Sequence, residues 1–146
     1  MTQLRAILDG PPRRWQRAAF IKGKKRTLRS ARTARQHVQA VVGIAMMRAR
    51  LPAWEAGVPL SVEIEAVFKR PKTSKHLDRT DPGRQWYPQV PDLDNVSKLW
   101  LDACNGLLWH DDAQVVRLAI TKVFAAEGEA PHTLFRCEPH TQETAA

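Results

Sequence analysis

The sequence predicts an α+β fold. The expectation is a mixed sheet of about four to six short strands with two helices, ordered strand-strand-helix-strand-helix-strand-strand. Three observations carry it. Residues 60–69, "LSVEIEAVFK", alternate, with Val62, Ile64, Ala66 and Phe68 on one side and Glu63 and Glu65 on the other. That period of two marks a half-buried strand. Ala34, Val38, Val41, Val42, Ala45 and Met46 instead recur at helical spacing, as do Leu93, Val96, Trp100, Ala103, Cys104 and Leu107. Finally, 113–125, "AQVVRLAITKVFA", and "HTLFRCE" are β-rich runs near the end of the chain.

Each element follows in order. "QLRAIL" at 3–8 is a first strand, ended by "DGPP". Residues 17–29 predict a hairpin turning at Gly23, with Phe20, Ile21 and Leu28 set among cations. Ser30 can cap a helix over 31–50, and "RLPAWEAGVP" connects it to the strand at 60–69. The second helix spans 93–105, and Asn105-Gly106 stops it because glycine tolerates the left-handed cap conformation. "LLWHDD" is then a turn, and the tail over 139–146 is expected to fray.

One domain over 1–146 accommodates all of this, with 43% hydrophobic residues to build its core. Two cysteines, Cys104 and Cys137, cannot build a disulfide framework or a four-ligand zinc site unaided. Cys104 sits on an apolar helix stripe, which suits a core residue better than a nucleophile. The opening "MTQLRAILDG" lacks the apolar run of a secretory signal, and no stretch approaches the roughly 18 apolar residues of a membrane span. A soluble cytoplasmic protein with no membrane partner is the expectation.

Charge is placed unevenly. The net charge is +8, and no acid occurs between Asp9 and Glu55. That interval holds Arg13, Arg14, Arg17, Lys22, Lys24, Lys25, Arg26, Arg29, Arg32, Arg35, Arg48 and Arg50. Such a block is an electrostatic footprint for a polyanion, against the alternative of a merely soluble basic surface. The polar tract 70–90 is too long for an ordinary connection. It places Trp86 and Tyr87 among Lys72, Lys75, Arg79 and Arg84. Aromatics between cations suit base stacking with phosphate contact; they equally suit a packed loop anchor.

The acids are the distinctive feature. Asp92 and Asp94 fall at the start of the second helix, in "PDLDNVSKL", and Asp111 and Asp112 form a doublet beyond its end. Helix capping accounts for the first pair, since acids gain from the positive end of the helix dipole. Asp94 and Lys98, and Lys98 and Asp102, are also spaced for i,i+4 ion pairs. Capping does not account for the doublet. A helix of this length is roughly 20 Å long, so Asp112 meets the first turn only if the tertiary path brings it round. Converging carboxylates would select Mg²⁺, or Mn²⁺, over zinc. An EF-hand is excluded, because "DLDNVS" puts Ser97 where its loop needs glycine and Ala103 where it needs glutamate. His110 borders the doublet, as a site neighbour or a solvated turn residue, and the other histidines show no ligand spacing.

The stretch "PDLDNVSKLWLDACNGLLWHDDAQVV" resembles the signature of the RusA family of Holliday-junction resolvases, with its Asp-x-Asp-Asn-x-x-Lys motif, helix and Asp-Asp-x-Gln turn. The early "GPP", the basic segment and the basic loop are similar to that family's layout. The loop "DRTDPGRQWYP" and the N-terminal "PPRRWQR" depart from it. The resemblance implies a bacterial or phage-encoded homodimer. It also implies Mg²⁺-dependent nicking of four-way DNA junctions, in recombination and repair, leaving 5′-phosphate ends. By position it assigns the essential acids to Asp92, Asp94 and Asp112, with Asp111 beside them, and the lysine to Lys98; Asn95 matches the motif's amide. DNA phosphates would fall to Arg13, Arg14, Arg17, Lys22, Lys24, Lys25, Arg26, Lys72, Lys75 and Arg84. Two rivals remain: a non-catalytic DNA-binding protein whose acids are caps, and a general divalent-metal nuclease without junction preference.

Overall fold

The computed structural model describes residues 2–16, 19–21, 24–26 and 29–142, with backbone alone at 19–21, 24–26 and 30. The elements are β1 (Leu4–Asp9), β2 (Ala19–Ile21), β3 (Lys24–Arg26), α1 (Arg29–Ala49), β4 (Leu60–Phe68), β5 (Gln85–Trp86), α2 (Leu93–Cys104), β6 (Val115–Phe124) and β7 (His132–Pro139). Two helices and a mixed five-stranded sheet make this the expected α+β fold.

The sheet runs β1-β7-β4-β6-β5. β4 pairs with β6 in parallel and with β7 antiparallel, and β1 pairs with β7 antiparallel. The parallel pair requires a crossover, and α2 lies within that crossover. The predicted hairpin exists as β2 paired antiparallel with β3, while Gly23 and Leu28 lie outside the described residues.

Alternation decides which face of the sheet is covered. Val62, Ile64 and Ala66 of β4 are buried with Leu4, Ala6, Phe135 and Cys137. Against them pack Val38 and Val42 of α1 and Val96, Leu99, Trp100, Ala103 and Cys104 of α2. Trp100 lies parallel to Phe135 with centroids 5.0 Å apart, and truncating such a buried tryptophan costs about 3–5 kcal/mol. The opposite face stays polar, with Glu63 between Arg117 and Arg136.

Several boundaries differ for local reasons. α1 ends in a Schellman motif: Arg50 takes φ 52° and the Leu51 amide donates to Met46 O at 2.9 Å. Gly106 has φ 78°, as the stop signal requires. Leu93 is exposed and Leu99 is buried, because the inner stripe of α2 begins one turn later than the apolar spacing suggests. The segment expected to fray over 139–146 begins with two bonded residues. Pro139 pairs with Leu60 and the His140 amide donates to Pro59 O, while 143–146 lie outside the described residues.

The 70–90 tract is braced by side chains as well as by the short backbone ladder of β5. Arg70 donates to the carbonyls of Gly83, Asp81 and Ala125, and Gln85 exchanges hydrogen bonds with the Asp78 backbone. Leu77 is buried beneath the tract and β5 closes it against the end of β6.

Candidate active site

The two acidic groups lie at opposite ends of α2. β6 fixes this, since it runs back along the helix. Lys122, near the far end of β6, donates to the carbonyls of Gln89 and Pro91 just ahead of Asp92. Asp112 precedes the near end of β6, ten residues before Lys122. The 12 residues of α2 separate the two ends by about 18 Å. Within one chain, therefore, Asp112 does not meet Asp92 and Asp94. Among the described residues no three His, Cys, Asp or Glu side chains are grouped to hold a metal ion.

The N-terminal end of α2 carries free carboxylates. Asp92 occupies the N-cap position, yet its side chain makes no capping hydrogen bond. Asp92 and Asp94 are exposed and join no hydrogen bond through their side chains, and no ion pair, among the described residues. The expected Asp94–Lys98 and Lys98–Asp102 pairs are not formed. Lys98 Nζ sits instead 3.7 Å above the Trp15 ring centroid. Trp15 is fixed in turn by its amide, which donates to Asn95 O at 2.8 Å. The segment holding Arg13 and Arg14 thus runs beside α2, and both line a cleft of about 370 Å³ with Val90 and Pro91. Pro91 leads directly into Asp92, so the cleft with its two arginines borders the start of α2, which carries the two unengaged carboxylates and Lys98.

The C-terminal end is built differently. Trp109, buried in the core, donates through Nε1 to Asp112 Oδ1 at 2.8 Å. Burial pushes the Asp112 carboxyl above its usual range; the Trp109 bond opposes this, and the charges of Asp102 and Asp111 add to it. Asp102 was not legible as a site neighbour, since nothing in its spacing ties it to Asp112. Asp111 is the acid that caps: its Oδ1 accepts from the Ala113 amide at 2.8 Å, opening a 3₁₀ turn over Asp112–Gln114. Gln114 completes the box by accepting from the amides of His110 and Asp111 and donating to Glu55 O and Val58 O. The capping explanation thus belongs to Asp111 and fails for the side chain of Asp92.

The predicted cations divide. Lys72 and Lys75 are exposed and unpaired among the described residues. Arg84 is not available: its guanidinium is held by Glu65 and by both oxygens of Glu129. These bonds push the Arg84 pKa up and hold Glu129 at about 2. Lys24, Lys25 and Arg26 stand on β3, while Arg17 and Lys22 lie outside the described residues. Cys104 and Cys137 are buried thiols raised by desolvation, Cys137 to about 12, so neither is a nucleophile at neutral pH. No helix of the described residues is long and apolar enough to cross a membrane.

Hard carboxylate oxygens with no protein partner fit Mg²⁺, which one or two carboxylates can hold together with substrate phosphate and water. Known proteins bear on the same surface. The uncharacterized protein YqaN of Bacillus subtilis (strain 168) is 32% identical over 73 residues, 47% of this chain. The match spans about half (51%) of that curated relative's own length. The model of the endodeoxyribonuclease RusA matches residues 9–131, which takes in every acid and every described cation named above except the C-terminal strand. The chain belongs to the RusA endodeoxyribonuclease family.

Proposed function

We propose that the protein is a Mg²⁺-dependent endodeoxyribonuclease that resolves four-way DNA junctions as a homodimer. The observation that carries it is the start of α2. Two carboxylates there spend nothing on capping or ion pairs, although cations stand beside them. In a chain of net charge +8, carboxylates left unpaired beside a basic surface would repel an incoming polyanion unless a cation joins them.

Asp92 and Asp94 would hold Mg²⁺. Bound there, the ion supplies a water of lowered pKa and offsets the charge developing on the phosphate. Lys98, aimed by Trp15, steadies a phosphate oxygen. Arg13 and Arg14 grip neighbouring phosphates, and Lys72, Lys75 and the basic residues of β3 add to the chain's positive charge toward DNA. Family membership supports DNA as the polyanion.

The separation of Asp112 from Asp92 and Asp94 supports the dimer. From Val115 to Thr121 the outer edge of β6 has no partner among the described residues, because β5 covers only Val123 and Phe124. Val116 and Leu118 lie exposed on that edge, and an open apolar edge is a template for pairing. Antiparallel pairing of two β6 edges exchanges their ends. Asp112 of one chain then arrives beside Pro91 and Asp92 of the other, and each two-fold dimer carries two complete acid sets. A junction is itself two-fold, so two sites address two opposed strands.

A single assay tests the reading: Mg²⁺-dependent cleavage of a mobile four-way junction and of linear duplex, by wild type and Asp92→Asn. The expected outcome is junction cleavage by wild type and a loss on the order of 10³-fold in the variant, since a metal site supplies several kcal/mol of transition-state stabilisation. Junction binding should persist in the variant. Wild-type cleavage rates in Asp92→Asn would place the active site elsewhere, and equal rates on duplex would remove the junction preference.

A further inference from the structure

Trp86 and Tyr87 are adjacent aromatics that the sequence leaves equivalent. The structure separates them. Tyr87 is the anchor: its ring stacks on Phe68 at 3.9 Å and 4°, meets Phe124 edge-on, and its hydroxyl donates to Val90 O. Trp86 has no ring partner among the described residues and is 73% exposed. Tryptophan is highly buried on average, so an indole held this far open invites a ligand.

The mount is stiff. Trp86 is paired with Val123 through β5. The residue before it is bonded to Asp78 and Asp81, and the residue before that is clamped between Glu65 and Glu129. The indole forms one wall of a cleft of about 590 Å³, lined also by His76, Asp81, Arg84, Gln85, Pro88 and Val123. Because two glutamates satisfy Arg84, the cleft offers an aromatic face and an apolar floor more than a phosphate-seeking charge. Lys72 and Lys75 lie earlier on the same loop. An exposed aromatic platform on a loop that also carries cations suits single-stranded nucleic acid, which stacks its bases on aromatics and lays its backbone on positive charge.

Its position connects it to the acids. Trp86 opposes Val123, and the adjacent Lys122 reaches the Pro91 carbonyl just ahead of Asp92. Trp86 and the start of α2 therefore flank the same end of β6. We propose that the Trp86 cleft takes an unpaired nucleobase from the strand beside the phosphate to be cut. This rests on the nuclease reading for its place in the reaction. Bases in continuous duplex are stacked and paired and reach such a cleft only at an unstacking cost. A branch point offers a base without that cost, so Trp86 would set preference for branched over linear DNA.

The test uses Asp92→Asn protein, to prevent cutting, alone and combined with Trp86→Ala or Trp86→Phe. Binding is measured to a four-way junction carrying 2-aminopurine at the branch point, to linear duplex and to an oligothymidylate. Losing one stacked base should weaken junction and single-strand binding roughly 5- to 150-fold in the alanine variant. The phenylalanine variant should retain most of it, and the 2-aminopurine signal should change only when an aromatic is present. Duplex affinity and oligomer mass should stay constant. Unchanged junction binding, an equal loss on duplex, or a change in oligomer mass each overturns the base site. If wild type fails to cut junctions while Trp86→Ala still selectively loses single-strand binding, the base site stands and the nuclease reading falls.

Discussion

The two ends of α2 carry similar acids under opposite conditions. At the first turn Asp92 and Asp94 sit where the helix dipole favours them, so they need no capping bond and make none. At the last turn the dipole is negative and that turn has no basic residue to offset it. Asp102, Asp111 and Asp112 nevertheless gather there, with Asp112 raised by burial and by its neighbours. Trp109 and the Ala113 amide position that group without neutralising it. One end presents ready ligands beside cations, and the other presents a carboxylate held in place and short of positive charge. Under the proposed function neither end is a complete site, and an exchange of ends across a two-fold axis would make two.

Subunit mixing breaks or sharpens that comparison with the largest effect. Asp92→Asn and Asp112→Asn homodimers should each be inactive. A mixed dimer of the two holds one site with both substitutions and one with neither. Co-refolding them should restore junction nicking to a sizeable fraction of wild type, read on a gel. If Asp112 served its own chain, every site in the mixture would carry a substitution and no activity would return.

The same comparison shows what was legible. The strand at 60–69 announced itself by alternation, and α2 by an apolar stripe ending at Asn105-Gly106. The acids were legible as a motif and illegible as a place. Spacing favoured a cap at Asp92 and ion pairs to Lys98, but cap geometry depends on where the carboxylate turns, and Lys98 found the Trp15 ring at 3.7 Å. Trp15 is distant in sequence, so no helix periodicity could have indicated it. β5 escaped because a two-residue strand has no period, and Arg84 read as a free cation because Glu65 approaches it from β4 and Glu129 from the connection between β6 and β7.

The shared edge is tested next. Leu118 is 40% exposed on β6, so Leu118→Lys should leave the monomer folded. Two lysines brought together across a two-fold axis would oppose pairing, and like charges at an interface cost several kcal/mol. Dimer affinity should fall on the order of 10²-fold by sedimentation, and cleavage should fall with it and recover at high protein concentration. A stable Leu118→Lys dimer would move the interface off β6.

Within the C-terminal end, Trp109→Phe keeps a buried ring and removes the donor to Asp112. Loss of a group that orients a ligand typically costs 10- to 100-fold. The Mg²⁺ concentration for half-maximal cleavage should rise by about tenfold, while dimer mass stays the same. An unchanged Mg²⁺ titration would leave Asp112 a structural acid.

The smallest effect belongs to the braced loop, away from both ends. Arg84 bridges Glu65 and Glu129, with side chains 36%, 35% and 26% exposed. Solvent screening therefore limits the Glu129 bridge to about 0.5–1 kcal/mol. Glu129→Gln should lower Tm by roughly 2–4 °C at neutral pH. The sign with pH follows from Glu129, whose pKa is lowered from 4.5 to about 2, chiefly by the Arg84 hydrogen bond. A depressed carboxylate contributes its stability above the unfolded value and loses it as pH falls toward the folded one. The Tm gap between wild type and Glu129→Gln should therefore hold above about pH 5 and narrow toward pH 2. A gap that widened on acidification would mean that the loop is braced by something other than this ion pair, and that the platform under Trp86 is held by the Arg70 and Gln85 hydrogen bonds alone.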